Sequence, residues 1–243
     1  MILWSMAGLA AVLWLLQLIL TDSSLTLPSA RLKWPRCESG AIFPDLNSLY
    51  LPVLHQLEPE HVCDLYDTLV QSHPCCSVSL RHDSAIDSLK LLCEINAVRG
   101  GAMVIGASTI TSVEQVIQCK NSGSKFISTM TTTKTIYQKA VELDMNIMCG
   151  VSTYSEAIAC LEWGAKSLKF YPASSVPPSK LKEILKLINK NNNEYSFVVA
   201  GGIQTTDVVP YLNAGATGFA LGIDCKKLAT EEIANKLAAF PIM

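Results

Sequence analysis

Residues 145–173, MNIMCGVSTYSEAIACLEWGAKSLKFYPA, contain one complete strand–helix–strand repeat. The first apolar run is followed by Ser152 and Glu156, residue types that begin helices because their side chains bond the free backbone N–H groups of the first turn. Gly164 ends the helical pattern, since glycine readily adopts the left-handed conformation that stops a helix. A second apolar run follows at 166–171. The segment therefore predicts two parallel strands joined by a crossover helix.

The same alternation continues on both sides of this segment and gives eight strand–helix units. The predicted strands are 50–55, 76–80, 102–106, 124–128, 145–149, 166–171, 195–200 and 217–221. The predicted helices are 58–71, 83–98, 111–121, 132–143, 153–163, 178–190, 204–213 and 226–239. This order predicts an α/β fold of the (β/α)8 class, a TIM barrel. An open doubly wound sheet is the alternative, although no strand is followed by the G-x-G-x-x-G pattern of dinucleotide-binding sheets.

The charge balance argues against a nucleic-acid partner. The chain has 243 residues, with 19 Lys and Arg against 21 Asp and Glu and a formal charge of −2. A protein that binds the phosphate backbone of nucleic acid needs a basic surface. We therefore expect no nucleic-acid partner.

An uncharged apolar run at residues 2–20, ILWSMAGLAAVLWLLQLIL, precedes the barrel and is preceded by no basic residue. About 20 helical residues cross the hydrocarbon layer of a membrane. Residues 1–21 are therefore predicted to be either a cleaved signal peptide or a retained anchor, which contacts the membrane or the secretion machinery and directs the protein to the secretory route or an organelle. A buried core helix is a third interpretation. Residues 22–48 are predicted to be a linker or extension, and residues 49–243 the barrel.

The nine cysteines form no C-x-x-C pair and no zinc-type spacing. His61 with Cys63, and the adjacent Cys75 and Cys76, lack a second matching pair that would complete a metal site. We interpret the cysteines as small apolar residues with free thiols and expect no metal site.

Lys169 is the first candidate for chemistry. Active sites of such barrels lie at the carboxyl ends of the strands, and Lys169 interrupts an apolar strand shortly before Pro172. An inward-pointing lysine loses hydration, which lowers its pKa. A neutral amine can attack a ketone and form a Schiff base. A lysine that extends outward between the helices is the alternative, and the residues alone do not decide between the two.

Four short blocks carry a resemblance to a known family: Gly106–Thr109, Gly150–Thr153 with Glu156, Lys169–Ala173, and Val199–Ile203. In order and spacing they resemble the 2-keto-3-deoxy-6-phosphogluconate and 4-hydroxy-2-oxoglutarate aldolase family, over about residues 50–226. The resemblance implies a class I aldolase that is usually trimeric and uses no metal or organic cofactor. It also implies that Lys169 forms the Schiff base from which pyruvate is released.

The resemblance further implies where the substrate, a keto acid with or without a phosphate, would bind. Arg81 would bind a carboxylate or phosphate, and Thr109 would donate a hydrogen bond to the pyruvate moiety. The other predicted substrate-binding residues follow later strands: Thr129, Tyr171, Gly201, Gly202 and Gly222. The glycine backbone N–H groups would cradle an anion. The alternatives are a loop salt bridge for Arg81 and simple tight turns for the glycines.

The main departure from the family pattern concerns proton transfer. The family has a glutamate four residues before the arginine, where this chain has Ser77. A hydroxyl cannot replace a carboxylate in this role near neutral pH without its own base. We therefore predict a catalytic group of Lys169, Ser77 and His82, in which His82 shuttles the proton. A structural loop histidine is the alternative, and His55 would also face the mouth of the barrel if the limits of the first strand are right.

Two further departures concern the substrate. Ser128-Thr129-Met130 replaces the S-P-G of the family, and Ile223 replaces the serine that follows the last glycine, which removes a hydroxyl from the phosphate cradle. The sequence therefore leaves open whether the substrate is phosphorylated.

Three functions are compatible with these features. The first is a lyase that cleaves a 2-keto-3-deoxy(-6-phospho) sugar acid or 4-hydroxy-2-oxoglutarate to pyruvate. The alternative is a degenerate barrel that binds a keto acid or phosphate with little turnover, because Ser77 stands where the general base should be. The third, a membrane-tethered interaction module, rests only on the N-terminal apolar run.

Overall fold

Eight parallel strands form a closed barrel in the computed structural model, which describes residues 50–72, 75–188, 195–227 and 229–238. The strands are β1 (Tyr50–His55), β2 (Cys75–Ser79), β3 (Val104–Ile110), β4 (Phe126–Thr129), β5 (Asn146–Val151), β6 (Ser167–Phe170), β7 (Ser196–Ala200) and β8 (Gly218–Asp224). Each strand pairs with the next in the chain, and β8 pairs with β1. The predicted (β/α)8 barrel is confirmed, and the open sheet is wrong.

A helix follows each strand. The helices are α1 (Val62–Ser72), α2 (Ala85–Val98), α3 (Val113–Asn121), α4 (Lys134–Glu142), α5 (Tyr154–Glu162), α6 (Pro178–Ile188), α7 (Val208–Ala214) and α8 (Thr230–Ala238). Short 3-10 turns occupy Pro59–His61, Ala173–Ser175 and Thr205–Asp207. Within the described ranges, no helix has the length and apolar character needed to span a membrane. The predicted segments 1–21 and 22–48 lie outside the described residues and stay predictions.

The helix signals of the β5–α5–β6 repeat act much as the sequence suggests. Thr153, rather than Ser152, is the N-cap: its hydroxyl accepts a hydrogen bond from the Glu156 backbone N–H, and the Glu156 carboxylate accepts one from the Thr153 N–H. Ser152 also donates to that carboxylate. At the other end of α5, Gly164 has φ 100°. This left-handed conformation turns the chain back into the barrel, as predicted.

Four strands extend further toward their carboxyl ends than predicted, namely β3, β4, β5 and β8. The added residues continue the parallel ladder: for example, Ser108 is in register with Ser79, and Asp224 with His55. Backbone hydrogen bonding to the neighbouring strand outweighs the weak strand propensity of these residues, because an unpaired N–H or C=O group inside the barrel wall would cost free energy.

Apolar side chains fill the interior of the barrel, and most of them belong to the first half of their strand. This interior plug consists of Leu51, Cys75, Val104, Phe126, Met148, Val198, Ala200 and Ala220. Phe126 is fully buried, and its ring occupies the space over Gly106, where an added Cβ would lie within 2.4 Å of several ring atoms. The larger core packs between the outer faces of the strands and the helices.

Candidate active site

A cavity of about 470 Å³ opens at the carboxyl ends of the strands, above the interior plug. It is lined by residues of most strands and of the loops that follow them. Eight of the predicted site residues lie in its wall: Lys169, Ser77, Arg81, Thr109, Tyr171, Gly201, Gly202 and Gly222. The structure thus gathers residues that are up to 145 positions apart in the sequence (Ser77 to Gly222) into one site.

Lys169 points into the barrel rather than outward between the helices. Its neighbours Leu168 and Phe170 belong to the outer core, so the pleat of β6 directs Lys169 to the interior. The side chain is only 5% exposed, and its Nζ lies 5.7 Å from the centroid of the Tyr171 ring. Burial, with a smaller contribution from the charge of Arg81, lowers the pKa of Lys169 to about 7. A substantial fraction of this amine is therefore neutral and nucleophilic at neutral pH.

Two buried serines in the cavity wall have unused hydroxyl groups. Ser77 is fully buried and Ser108 is 3% exposed, and neither Oγ has a hydrogen-bond partner among the described residues. Buried polar atoms normally find partners. Because both residues face the cavity, a bound substrate or water is the partner that they can reach.

Thr109 lies beside these serines in an unusual backbone conformation. Its φ of 66° is rare for a β-branched residue, and it falls where the register between β3 and β4 shifts. Its hydroxyl and that of Ser79 share a hydrogen bond of 3.0 Å. Backbone strain of this kind is often found at functional sites.

Arg81 presents a guanidinium group at the cavity wall without a carboxylate partner. It forms no ion pair with any residue that the structure describes, and its Nη2 lies 3.3 Å from the Sδ of Met130. The alternative of a loop salt bridge therefore finds no partner in the described part of the chain. The forked donor group remains available for an anion.

His82 and Thr129 are not among the residues that line the cavity. His82 follows Arg81 but turns the other way, and its Nδ1 lies 3.0 Å from the Oγ of Ser84. Thr129 follows Ser128, which does face the cavity, so the pleat of β4 turns Thr129 outward. There its hydroxyl accepts a 2.8 Å hydrogen bond from the Gly150 N–H and ties β4 to β5. The structure does not bring these two predicted residues into the site.

His55 and Lys236 line the cavity, although neither was among the residues predicted to form the site. His55 is the last residue of β1, and its inward direction depended on the strand limits. Burial, followed by the charge of Arg81, lowers the pKa of His55, so the imidazole is neutral at pH 7. Lys236 comes from α8, and nothing in the local sequence indicates that this helix reaches the cavity.

The cavity is positively charged. Among the described residues that line it, Arg81, Lys169 and Lys236 are basic, and none is acidic. Such a pocket attracts anionic molecules. Within the described part of the chain, no cluster of His, Cys, Asp or Glu has the arrangement of a metal site.

The fold and the site together define a TIM barrel with a buried lysine in a pocket that is lined by basic residues. The family model for KDPG and KHG aldolases matches residues 47–235. The chain therefore belongs to the KDPG and KHG aldolase family, which makes it an aldolase-type lyase.

Individual relatives agree with this assignment. The chain is 29% identical over 143 residues to the 2-dehydro-3-deoxy-6-phosphogalactonate aldolase of Escherichia coli K12, covering 58% of this chain and 68% of that protein. A solved structure described as native KDPGal superposes with a TM-score of 0.71 at 23% identity, covering 79% and 91% of the two chains. The KDPG aldolase of Legionella pneumophila, solved with pyruvate captured as a covalent carbinolamine, has a TM-score of 0.65 at 23% identity, covering 80% and 92%.

Proposed function

We propose that this protein is a class I aldolase that cleaves a 2-keto-3-deoxy(-6-phospho) sugar acid or 4-hydroxy-2-oxoglutarate through a Schiff base on Lys169. The observation that carries the proposal is the position of Lys169, which is 5% exposed in a cavity lined by basic residues. The covalent carbinolamine of the Legionella pneumophila relative supports the same chemistry.

The reaction follows from the properties of the amine. Neutral Lys169 attacks the C2 ketone to form a carbinolamine. The carbinolamine takes up one proton from solvent as it loses water, which gives a protonated imine, and the later hydrolysis returns that proton. The imine accepts the electron pair of the C3–C4 bond when that bond breaks, so the aldehyde leaves and an enamine remains. Protonation of the enamine at C3 and hydrolysis of the imine release pyruvate and regenerate the amine.

The anionic groups of the substrate would bind around the rim. Arg81 is placed to bind one of them, and Gly202 offers a second position on the opposite side. An added Cβ on Gly202 would meet no atom within 4 Å, so a ligand can approach its backbone closely. Ile223, where the family has a serine, lines the same cavity without a hydroxyl. We propose that both phosphorylated and unphosphorylated acids be tested.

A second candidate function is a barrel that binds keto acids with little turnover. Ser77 favours it, because this position holds no carboxylate to move the proton. We also propose a homotrimer, as the family resemblance implies, and delivery to a membrane, organelle or secretory route by residues 1–21.

Borohydride trapping with pyruvate tests the lysine chemistry. We expect reduction to attach the three-carbon unit covalently to Lys169, as located by peptide mass spectrometry, and we expect no adduct in Lys169→Met. The exposed Lys90→Met variant is the matched control and should be labelled like the parent. Absence of an adduct in the parent would refute the proposed function.

Steady-state cleavage assays then separate the two candidates. Release of pyruvate from a phosphorylated or an unphosphorylated 2-keto-3-deoxy acid, or from 4-hydroxy-2-oxoglutarate, would support the aldolase. Adduct formation without pyruvate release from any of these substrates would support the binding protein.

A further inference from the structure

The proposed aldolase reaction needs a group that accepts a proton from the substrate hydroxyl and returns it to carbon. The ionisable residues among those that line the cavity are His55, Arg81, Lys169, Tyr171 and Lys236. Arg81 cannot give up its proton, and a phenol or an exposed lysine is a poor base at pH 7. Lys169 is consumed in the imine. His55 alone among these groups is suited to both steps.

The position of His55 agrees with this role. Val53 of β1 is in register with Ser77 of β2, and His55 lies two residues further along the same inward face of β1. It therefore stands about 7 Å above the level of Ser77, toward the mouth. A serine side chain is two bonds shorter than a glutamate, so Ser77 itself does not extend toward the level of His55 as a glutamate would.

Gly222 determines where the imidazole lies. An added Cβ on this residue would be 3.0 Å from Nε2 and 3.2 Å from Cδ2 of His55. The imidazole ring therefore lies over β8, the neighbour of β1. In the closed strand order, β6 with Lys169 is three strands from β1 in this direction and five strands in the other. Gly222 thus has a steric reason to be glycine that is separate from the anion cradle suggested by the sequence.

Burial, and then the net effect of the surrounding charges, favours the neutral form of His55, which is the form that acts as a base. Arg81 from the loop after β2 and Lys169 from β6 both oppose protonation, whereas Asp224 at the end of β8 favours it. Burial makes the largest contribution, and the net effect is a lowered pKa. No described residue hydrogen-bonds to the imidazole, so its nitrogens are free to bond a ligand.

The geometry points to His55 as the general base and acid of this aldolase, in the place of the glutamate that Ser77 replaces. The inference rests on the proposed function. Nε2 of His55 accepts the proton of the C4 hydroxyl while the C3–C4 electron pair moves into the imine. The imidazolium then donates that proton to C3 of the enamine, which leaves His55 neutral and the pyruvate imine ready for hydrolysis.

Solvent exchange at C3 of pyruvate isolates this step from carbon–carbon cleavage. The protein with pyruvate in D2O forms the imine on Lys169 and exchanges the methyl protons through the enamine, which NMR follows. We expect His55→Gln to slow exchange and cleavage by about 10²–10⁴-fold while borohydride labelling of Lys169 persists. His61→Gln, on the exposed 3-10 turn before α1, is the matched control and should exchange at the parental rate.

Two further variants test whether slow exchange in His55→Gln results from loss of a base at this position in the cavity. Ser77→Glu in the His55→Gln background restores a base from the neighbouring strand and should recover exchange by at least ten-fold. Gly222→Ala should slow exchange in the parent by displacing the imidazole, but should have no further effect in the His55→Gln background.

The outcomes separate this inference from the proposed function. Labelling of Lys169 with parental exchange in His55→Gln would overturn the role of His55 and leave the aldolase intact. Loss of labelling together with exchange in His55→Gln would also overturn it, because His55 would then act in imine formation or in folding. Failure of the parent to be labelled would refute the aldolase itself.

Discussion

The two ends of the barrel interior are built from the same strands but in opposite ways. The interior plug is closed by apolar side chains such as Phe126 and Met148, both fully buried. The cavity above it contains a buried lysine and two serine hydroxyls without partners in the described part of the chain. The plug is optimised for packing, whereas the cavity keeps polar groups unsatisfied for a ligand. Stability and chemistry should therefore respond to substitutions at different ends.

Phe126→Ala tests the plug and should have the largest effect on stability. The ring is fully buried and fills the space over Gly106, so its removal leaves a cavity and should lower the free energy of unfolding by about 3–5 kcal/mol. Urea unfolding measures this loss, and the milder Phe126→Leu serves as a control. Turnover of the folded fraction should change little. If Phe126→Ala lost turnover but kept the stability of the parent, the plug would serve catalysis rather than stability, which would contradict the comparison.

Lys169→Met tests the opposite end through the pH dependence of stability. The pKa of Lys169 is lowered to about 7, so between that pH and its ordinary value of 10.5 the unfolded chain binds more protons than the folded one. The contribution of Lys169 to stability therefore rises as the pH increases through this window. At pH 7 the methionine variant should be more stable than the parent by up to a few kcal/mol, although it has no turnover.

The difference between the parent and Lys169→Met should shrink steadily from pH 7 to pH 10 in urea unfolding. Comparing the two proteins cancels the buried thiols, such as Cys93, whose pKa is raised to about 12 and whose effect on stability has the opposite sign. A difference that stays constant with pH would show that Lys169 is not neutralised on folding.

Arg81→Gln should affect binding at the cavity without affecting the plug. The guanidinium has no carboxylate partner among the described residues, so its removal leaves no buried charge behind. We expect KM for the keto acid to rise about 10–100-fold, which corresponds to about 1.4–2.7 kcal/mol, with the urea midpoint unchanged. Arg81→Lys keeps the positive charge but loses the forked pair of N–H donors. Its KM should therefore lie between those of the parent and Arg81→Gln. An unchanged KM would place the anion site elsewhere.

Lys236→Gln should have the smallest effect. Its side chain is exposed at the rim, where solvent screens the charge. We expect a rise in KM of about two- to five-fold at low ionic strength, which disappears at high salt because the Debye length shortens. The exposed Lys90→Gln is the matched control. A loss larger than that of Arg81→Gln would mean that α8 carries the main anion site.

Local patterns were sufficient for the repeat and for the place of Lys169 in the sixth strand, whereas the inward direction of Lys169 was expected only from the family resemblance. The Gly164 stop, the eight alternating units and the interruption of the sixth strand by Lys169 all depend on neighbours within one turn or one strand. The site was predicted less completely. His82 was predicted because it follows Arg81 in the same loop, and Thr129 because it lies in the run that replaces the S-P-G of the family. Thr129 is a strand residue next to the inward-facing Ser128, so the pleat turns it outward, and His82 lies in the loop after β2 and contacts Ser84 instead.

The sequence by itself determined the class of fold, the helix stop at Gly164 and the place of Lys169 in the sixth strand, because these follow from short-range periodicity and backbone preference. Only the tertiary structure decided which histidine enters the site, that Gly222 makes room for it, and that Lys236 reaches the rim. The physical reason is closure of the barrel. The register of β8 against β1 brings together residues that are far apart in the chain, and a shift of one residue would turn each of them to the other face.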